Sequence, residues 1–193
     1  MFDLPYHLIL ASGSPRRKEI LALMGFTFEV RVKDIDESYS DDLPPKAVPE
    51  FLALLKAKAY LNELRPDDLL ITADTIVCKD HRIVGKPAHK QQAIEMLQEL
   101  SGSVHTVVTG VCLTTLSRQV SFSCKSKVHL RALGQAEIEY YIDKFQPFDK
   151  AGGYGVQDWI GAVAISKIKG SYYNVMGLPS DMLYQELKNF ALR

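Results

Sequence analysis

The period at which apolar residues recur changes along the chain, and each period predicts an element. The run His7-Leu8-Ile9-Leu10-Ala11 stops at Ser12-Gly13-Ser14-Pro15, which predicts a buried strand entering a turn. Ser14 then suits a helix N-cap and Pro15 the first helical position, with Ile20, Leu21 and Met24 as the apolar stripe and Gly25 as the stop. Residues 26–32 predict a second strand. Val48, Phe51, Leu52, Leu55 and Ala59 fall at helical spacing, so a helix is expected from 48 to about 64. Residues 69–73 read as a strand that delivers Asp74-Thr75 at its end. Ala93, Met96, Leu97 and Leu100 mark another helix, and residues 104–115 a long Val/Thr-rich strand. Alternation at Val120, Phe122 and Cys124 predicts a half-exposed strand. Ile138, Tyr141, Ile142 and Phe145 form a helical stripe; residues 162–168 read as a strand and 182–190 as a last helix. Strands and helices alternate early, and two strands then follow each other directly. That order predicts an α/β or α+β fold, its mixed, partly antiparallel sheet flanked by helices, in a single domain.

Composition narrows the function classes. The 193 residues carry 23 basic and 23 acidic side chains and a formal net charge of zero, so no global positive field gathers nucleic acid. No apolar run approaches the roughly 20 residues of a membrane span, and residues 1–10 lack the pattern of a signal peptide. Cys78, Cys112 and Cys124 form no CxxC pair and are odd in number, which argues against a disulfide framework or structural zinc and for a cytoplasmic setting.

Five segments could carry chemistry. At Ser12-Gly13-Ser14-Pro15-Arg16-Arg17 a strand gives way to a helix whose free N–H groups attract anions. Two arginines in that first turn oppose the helix dipole, and a phosphate among them would reverse the penalty; a capped helix with solvated arginines is the plain alternative. Asp74-Thr75, at the end of an apolar strand, could hold a divalent metal or orient water, or simply cap a turn. Asp34, Asp36 and Glu37 suit Mg²⁺ or form a solvated acidic loop. Lys56 and Lys58 flank the same helical stripe equally, and Lys86 sits in a Gly-Lys-Pro turn; periodicity does not choose between the first two. In Asp149-Lys150-Ala151-Gly152-Gly153-Tyr154-Gly155-Val156-Gln157 the glycines permit close backbone approach to a ligand, and the Gln157 amide can pair with a base edge. His105, in a Val/Thr-rich strand, reads as structural. No HExxH or GxSxG motif is present.

Taken in order, LILASGSPRRKEIL, DIDE, LALLKAKA, ITADTIV, GKP, LSGSVHTVVTG, DKAGGYGVQ and GSYYNVMGLP resemble the Maf family of nucleoside triphosphate pyrophosphatases from Leu8 to Pro179. The resemblance implies two lobes with a central cleft, and metal-dependent (Mg²⁺ or Mn²⁺) hydrolysis of a nucleoside triphosphate to the monophosphate and pyrophosphate. It gives Asp74 the proton-acceptor role, and Glu37 with Asp74 is the expected holder of the metal. Arg16, Thr75 and Gln157 match positions of substrate choice, Glu37, Lys56 and Lys86 match polar positions lining the family's site, and Arg17 matches the second arginine of its signature; Ser14, Arg17, Lys56 and Lys86 are the expected phosphate-binding residues. This alignment prefers Lys56 over Lys58. DKAGGYGVQ is similar to the form acting on dTTP and UTP, with modified pyrimidine nucleotides a further option. The alternatives are another nucleotide, such as 7-methyl-GTP, or a nucleotide-binding regulator of cell division without relevant turnover. A homodimer is implied at family level only. Asp158-Trp159 departs from the glycine that many members have after the glutamine, and the indole has the bulk to reshape a base pocket.

Overall fold

A computed structural model describes residues 2–192. Its strands are β1 (His7–Leu10), β2 (Phe28–Val30), β3 (Asp68–Lys79), β4 (Arg82–Val84), β5 (Val104–Thr114), β6 (Gln119–Leu130) and β7 (Ile165–Lys169). Its helices are α1 (Pro15–Leu23), α2 (Val48–Lys58), α3 (Lys90–Leu100), α4 (Gln135–Phe145), α5 (Trp159–Ala164), α6 (Tyr172–Met176) and α7 (Ser180–Ala191). The strands form one open sheet in the order β2-β1-β3-β5-β6-β7, with β4 on β3. β1 runs parallel to β2 and β3, whereas β4 on β3 and β7 on β6 are antiparallel. This is the mixed, helix-flanked sheet expected from the order of elements.

The chain divides into two compact units, the first comprising residues up to 74, 109–124 and 177 onward, the second 75–108 and 125–176. In the first, α2 lies on a core built from Ile9, Leu70 and Cys112 of the strands and its own Ala53 and Ala57. Small residues one turn apart let the helix sit close. At Gly110 on β5 there is no room for a Cβ, because the backbone of Pro49 and Glu50 occupies that place. In the second unit, α3, α4 and α5 contribute Leu97, Leu100, Tyr141 and Ile160 to a core completed by Val77, Val107 and Val128 of the sheet.

Three elements differ from the sequence expectation. β3 continues to Lys79, because Thr75, Ile76 and Val77 are β-branched and β4 gives this half an antiparallel partner in the register Val77↔Val84. Asp74-Thr75 therefore lie inside the strand. α2 stops at Lys58, since Lys33 Nζ takes the Ala59 carbonyl at 2.7 Å and Tyr60 turns into the core. The expected strand 162–168 begins at Ile165, after the short helix α5; a turn at Val156-Gln157 leads into that helix, and within it a Cβ on Gly161 would collide with the Val156 carbonyl. α6 had no periodic signal in five residues.

Candidate active site

The first unit holds six of the residues singled out from sequence: Ser14, Arg16, Arg17, Glu37, Lys56 and Asp74. β3 is buried from Asp68 to Ala73 and again from Ile76 to Cys78, so Asp74-Thr75 is the one place in its middle where burial relaxes. The Asp74 carboxylate (Oδ1) accepts a hydrogen bond from Lys56 Nζ at 2.8 Å, and Glu37 Oε1 stands 3.0 Å from the same nitrogen. Lys56 reaches Asp74 from the third turn of α2, with both side chains more than four-fifths buried, at 13% and 14% exposure. Lys58 is exposed, so geometry now separates the two lysines that periodicity left equal. Glu37 comes from the extended segment after β2, anchored by Ile35 against the same core as α2. Its neighbour Asp36 closes a local turn instead, accepting from Ser38 N at 3.0 Å and Ser38 Oγ at 3.1 Å. Of the acidic cluster, Glu37 is thus the member that meets Lys56.

The turn into α1 adds two cations. Arg17 Nε donates to the Gly177 carbonyl at 2.9 Å and Nη1 to Ser12 Oγ at 3.0 Å. Burial pushes the Arg17 pKa down from its ordinary value; the Asp74 and Glu37 carboxylates oppose that shift, while Arg16 adds to it. Arg16, Arg17, Glu37 and Asp74 therefore share one electrostatic neighbourhood. Ser14 N donates to Ser12 Oγ at 3.3 Å, and the Ser14 side chain caps nothing in the helix. Ser12, buried and bonded to both, lies in the segment singled out from sequence, but its role in holding Arg17 is seen only in the structure.

Glu37 and Asp74 fit a divalent cation. Two carboxylate oxygens converge on one point, which the Lys56 ammonium now holds as a cationic stand-in. Among the described residues, no group of three or more His, Cys, Asp and Glu could bind a metal. Two carboxylates with the remaining positions left to phosphate and water is the arrangement Mg²⁺ accepts.

The second unit holds Thr75, Lys86 and Gln157. Thr75 is half-buried on β3, and Lys86 is exposed in the turn after β4. The glycine-rich segment is tied to that turn, since Gly152 N donates to the Gly85 carbonyl at 2.8 Å. Gly152 and Gly153 both adopt positive φ, at 72° and 67°, and a Cβ on Gly152 would press on Val77 Cγ2 at 3.0 Å. Tyr154 and Val156 point inward and are buried; Gln157 is exposed. Tyr141 pins this segment in a way the sequence did not disclose. Its hydroxyl accepts from Gly155 N at 3.0 Å and donates to Asp158 Oδ2 at 2.7 Å, with Lys150 Nζ 3.9 Å from the same oxygen. Burial and the Asp158 carboxylate push the Tyr141 pKa up, so its proton stays on the hydroxyl. Trp159 packs edge-on against Tyr140, ring centroids 5.0 Å apart, and onto the core of this unit. The indole is thus absorbed by packing.

Comparison with known proteins adds the family. The family model described as Maf-like protein matches residues 7–190. The chain is similar to proteins named dTTP/UTP pyrophosphatase: 52% identical over 186 residues to one from Parabacteroides distasonis, covering 96% of both chains, and 52% over 184 residues to one from Bacteroides thetaiotaomicron, covering 95% of both. A third, from Porphyromonas gingivalis, is 48% identical over 189 residues, covering 96% of this chain and 95% of its own.

Proposed function

We propose that this chain, which belongs to the Maf family, hydrolyses dTTP and UTP to the nucleoside monophosphate and pyrophosphate. The observation that carries the reading is the cluster Glu37–Lys56–Asp74, two carboxylates meeting one ammonium with Arg16 and Arg17 in the same electrostatic neighbourhood. An anion-binding surface alone gains nothing from carboxylates beside phosphate, whereas hydrolysis needs an oxygen base and a place for a cation.

In this account Asp74 orients a water and takes its proton as the water oxygen attacks the α-phosphorus. The bond from the α-phosphorus to the bridging oxygen breaks, and pyrophosphate leaves with the bonding pair. Lys56, Arg16 and Arg17 offset the charge that gathers on phosphate oxygens, with the Ser14 turn supporting the phosphate. Glu37 and Asp74 would hold Mg²⁺ or Mn²⁺, which when bound polarises phosphate oxygens and lowers the pKa of water. Lys86 acts on phosphate; Thr75 and Gln157 select the base, Gln157 by offering a donor and an acceptor together. Among the described residues no helix is long and apolar enough to cross a membrane. We assign the enzyme to the cytoplasm, acting on free nucleotides and not on nucleic acid, and a homodimer is the assembly the family likeness supports.

The test is pyrophosphate release from a panel of nucleoside triphosphates with Mg²⁺ or Mn²⁺, alongside Asp74→Asn. Turnover of dTTP and UTP, lost in the variant, supports the reading. Turnover confined to other bases moves the assignment at Gln157, and binding without turnover favours a regulator.

A further inference from the structure

The segment that carries Gln157 is held by a second tyrosine, and its partner is a histidine that the proposed chemistry does not use. Tyr154 lies between Gly153 and Gly155, is 5% exposed, and places its hydroxyl 2.6 Å from His105 Nε2 on β5. The two rings meet edge to face at 81°, with centroids 5.4 Å apart. His105 is 2% exposed, and its other ring nitrogen, Nδ1, is buried with no hydrogen-bond partner. A buried polar atom without a partner costs stability, and an apolar side chain at position 105 would avoid that cost. The ring is therefore explained by what Nε2 does, which is to fix the Tyr154 hydroxyl.

We propose that His105 is a positioning residue for nucleotide recognition, acting through Tyr154 to hold the Gly153–Gln157 backbone so that the exposed Gln157 amide meets the base in one orientation. The inference rests on the reading of Gln157 given above. Two residues separate Tyr154 from Gln157, and between them Gly155 supplies no side chain to lock the path. Without the anchor at Tyr154, the segment would keep the Tyr141 hydroxyl's bonds to Gly155 N and Asp158 and the bond from Asp158 N to the Gly155 carbonyl, all on the far side of the turn. A hydrogen bond that places a recognition group without touching substrate acts on binding and base preference, not on the chemical step.

Tyr154→Phe removes one hydroxyl and keeps the ring, and His105→Leu removes the partner. His105→Gln sets an amide close to the place of Nε2 and serves as the rescue. KM and kcat would be measured for dTTP and dCTP, together with urea unfolding midpoints. Dissociation constants for both nucleotides with metal chelated keep the test independent of turnover. The expected result for Tyr154→Phe and His105→Leu is about a tenfold weaker dTTP binding and higher KM, the size of one lost hydrogen bond. The preference for dTTP over dCTP falls with it, kcat changes little, and His105→Gln recovers most of the loss. A lower unfolding midpoint with affinity and preference unchanged would assign the pair to packing alone and overturn the proposal; should His105→Leu not fold, Tyr154→Phe decides. Gln157→Ala, run beside them, separates the two ideas. If it leaves preference unchanged while Tyr154→Phe lowers it, the role of Gln157 fails and the anchor stands; the reverse pattern refutes the anchor.

Discussion

Gly155→Ala places one methyl group where the structure has no room, and its consequence can be worked out atom by atom. A Cβ at this position would stand 2.5 Å from Asp158 Oδ2, 2.8 Å from Asp158 Cγ and 3.0 Å from Gln157 Nε2. Ordinary contact at a Cβ begins near 3.4 Å, so the Asp158 carboxylate must retreat by close to 1 Å. That carboxylate is held by the Tyr141 hydroxyl at 2.7 Å, and a retreat of this size breaks the bond. A hydrogen bond to a charged acceptor is worth about 1.5–3 kcal/mol, so a loss of about 2 kcal/mol is expected. For a chain of this length that corresponds to a fall in Tm of roughly 4–8 °C. The methyl also displaces the Gln157 amide, so base preference should weaken in the same variant. Gly85→Ala is the matched control: nothing lies within 4 Å of a Cβ there, although the glycine belongs to the Gly-Lys-Pro motif. Calorimetry of both variants and their dTTP/dCTP ratios would check the argument. If Gly155→Ala melts with Gly85→Ala and keeps the wild-type ratio, the steric reasoning is wrong.

Other perturbations test the remaining parts. Lys56→Met leaves Glu37 and Asp74 facing each other without their shared cation, which should cost about 3 kcal/mol in metal-free buffer and less with Mg²⁺ present; urea midpoints in chelator and in Mg²⁺ that match the wild type would contradict this. Burial first, then the Lys79 and His129 charges, lowers the His105 pKa from 6.5 to about 4. Between those values the unfolded chain takes up a proton that the folded one refuses, so stability should fall by about 3 kcal/mol as pH drops through that window. His105→Gln should flatten that part of the pH profile, and an equal slope in both proteins would deny His105 the effect.

Much of this was legible in the sequence where one period or one motif decided it. The apolar runs placed β1, β3 and β5, and the helical stripes placed α3, α4 and α7, because burial on one face imposes its period on the chain. Ends were less legible. α2 stopped early through Lys33, a residue 25 positions before Lys58 that no local window includes. β3 ran on because β4 offered a partner, and α5 follows the turn at Val156-Gln157, with Gly161 letting it pass close to the Val156 carbonyl. At the site, the lone motifs offered Asp74, the acidic set Asp34, Asp36 and Glu37, and Lys56 or Lys58 as separate candidates, and the family resemblance singled out Glu37 and Lys56. Their meeting depends on α2 lying on β3 and on Ile35 anchoring the segment before Glu37, which spacing does not encode. The bonds of Tyr141 to Gly155 and Asp158 and of His105 to Tyr154 went unseen because they join residues 14 to 49 positions apart.

The central claim is that water attacks the α-phosphorus at the Asp74 carboxylate. The measurement that addresses it most directly is turnover of dTTP in ¹⁸O-water with Mg²⁺, reading the label in the products by ³¹P NMR or mass spectrometry, for the wild type and Asp74→Asn. The account predicts one labelled oxygen in the nucleoside monophosphate, none in pyrophosphate, and a loss of turnover of at least about a hundredfold in the variant. Label in pyrophosphate or in free phosphate, or an Asp74→Asn protein that turns over near the wild-type rate, would contradict it.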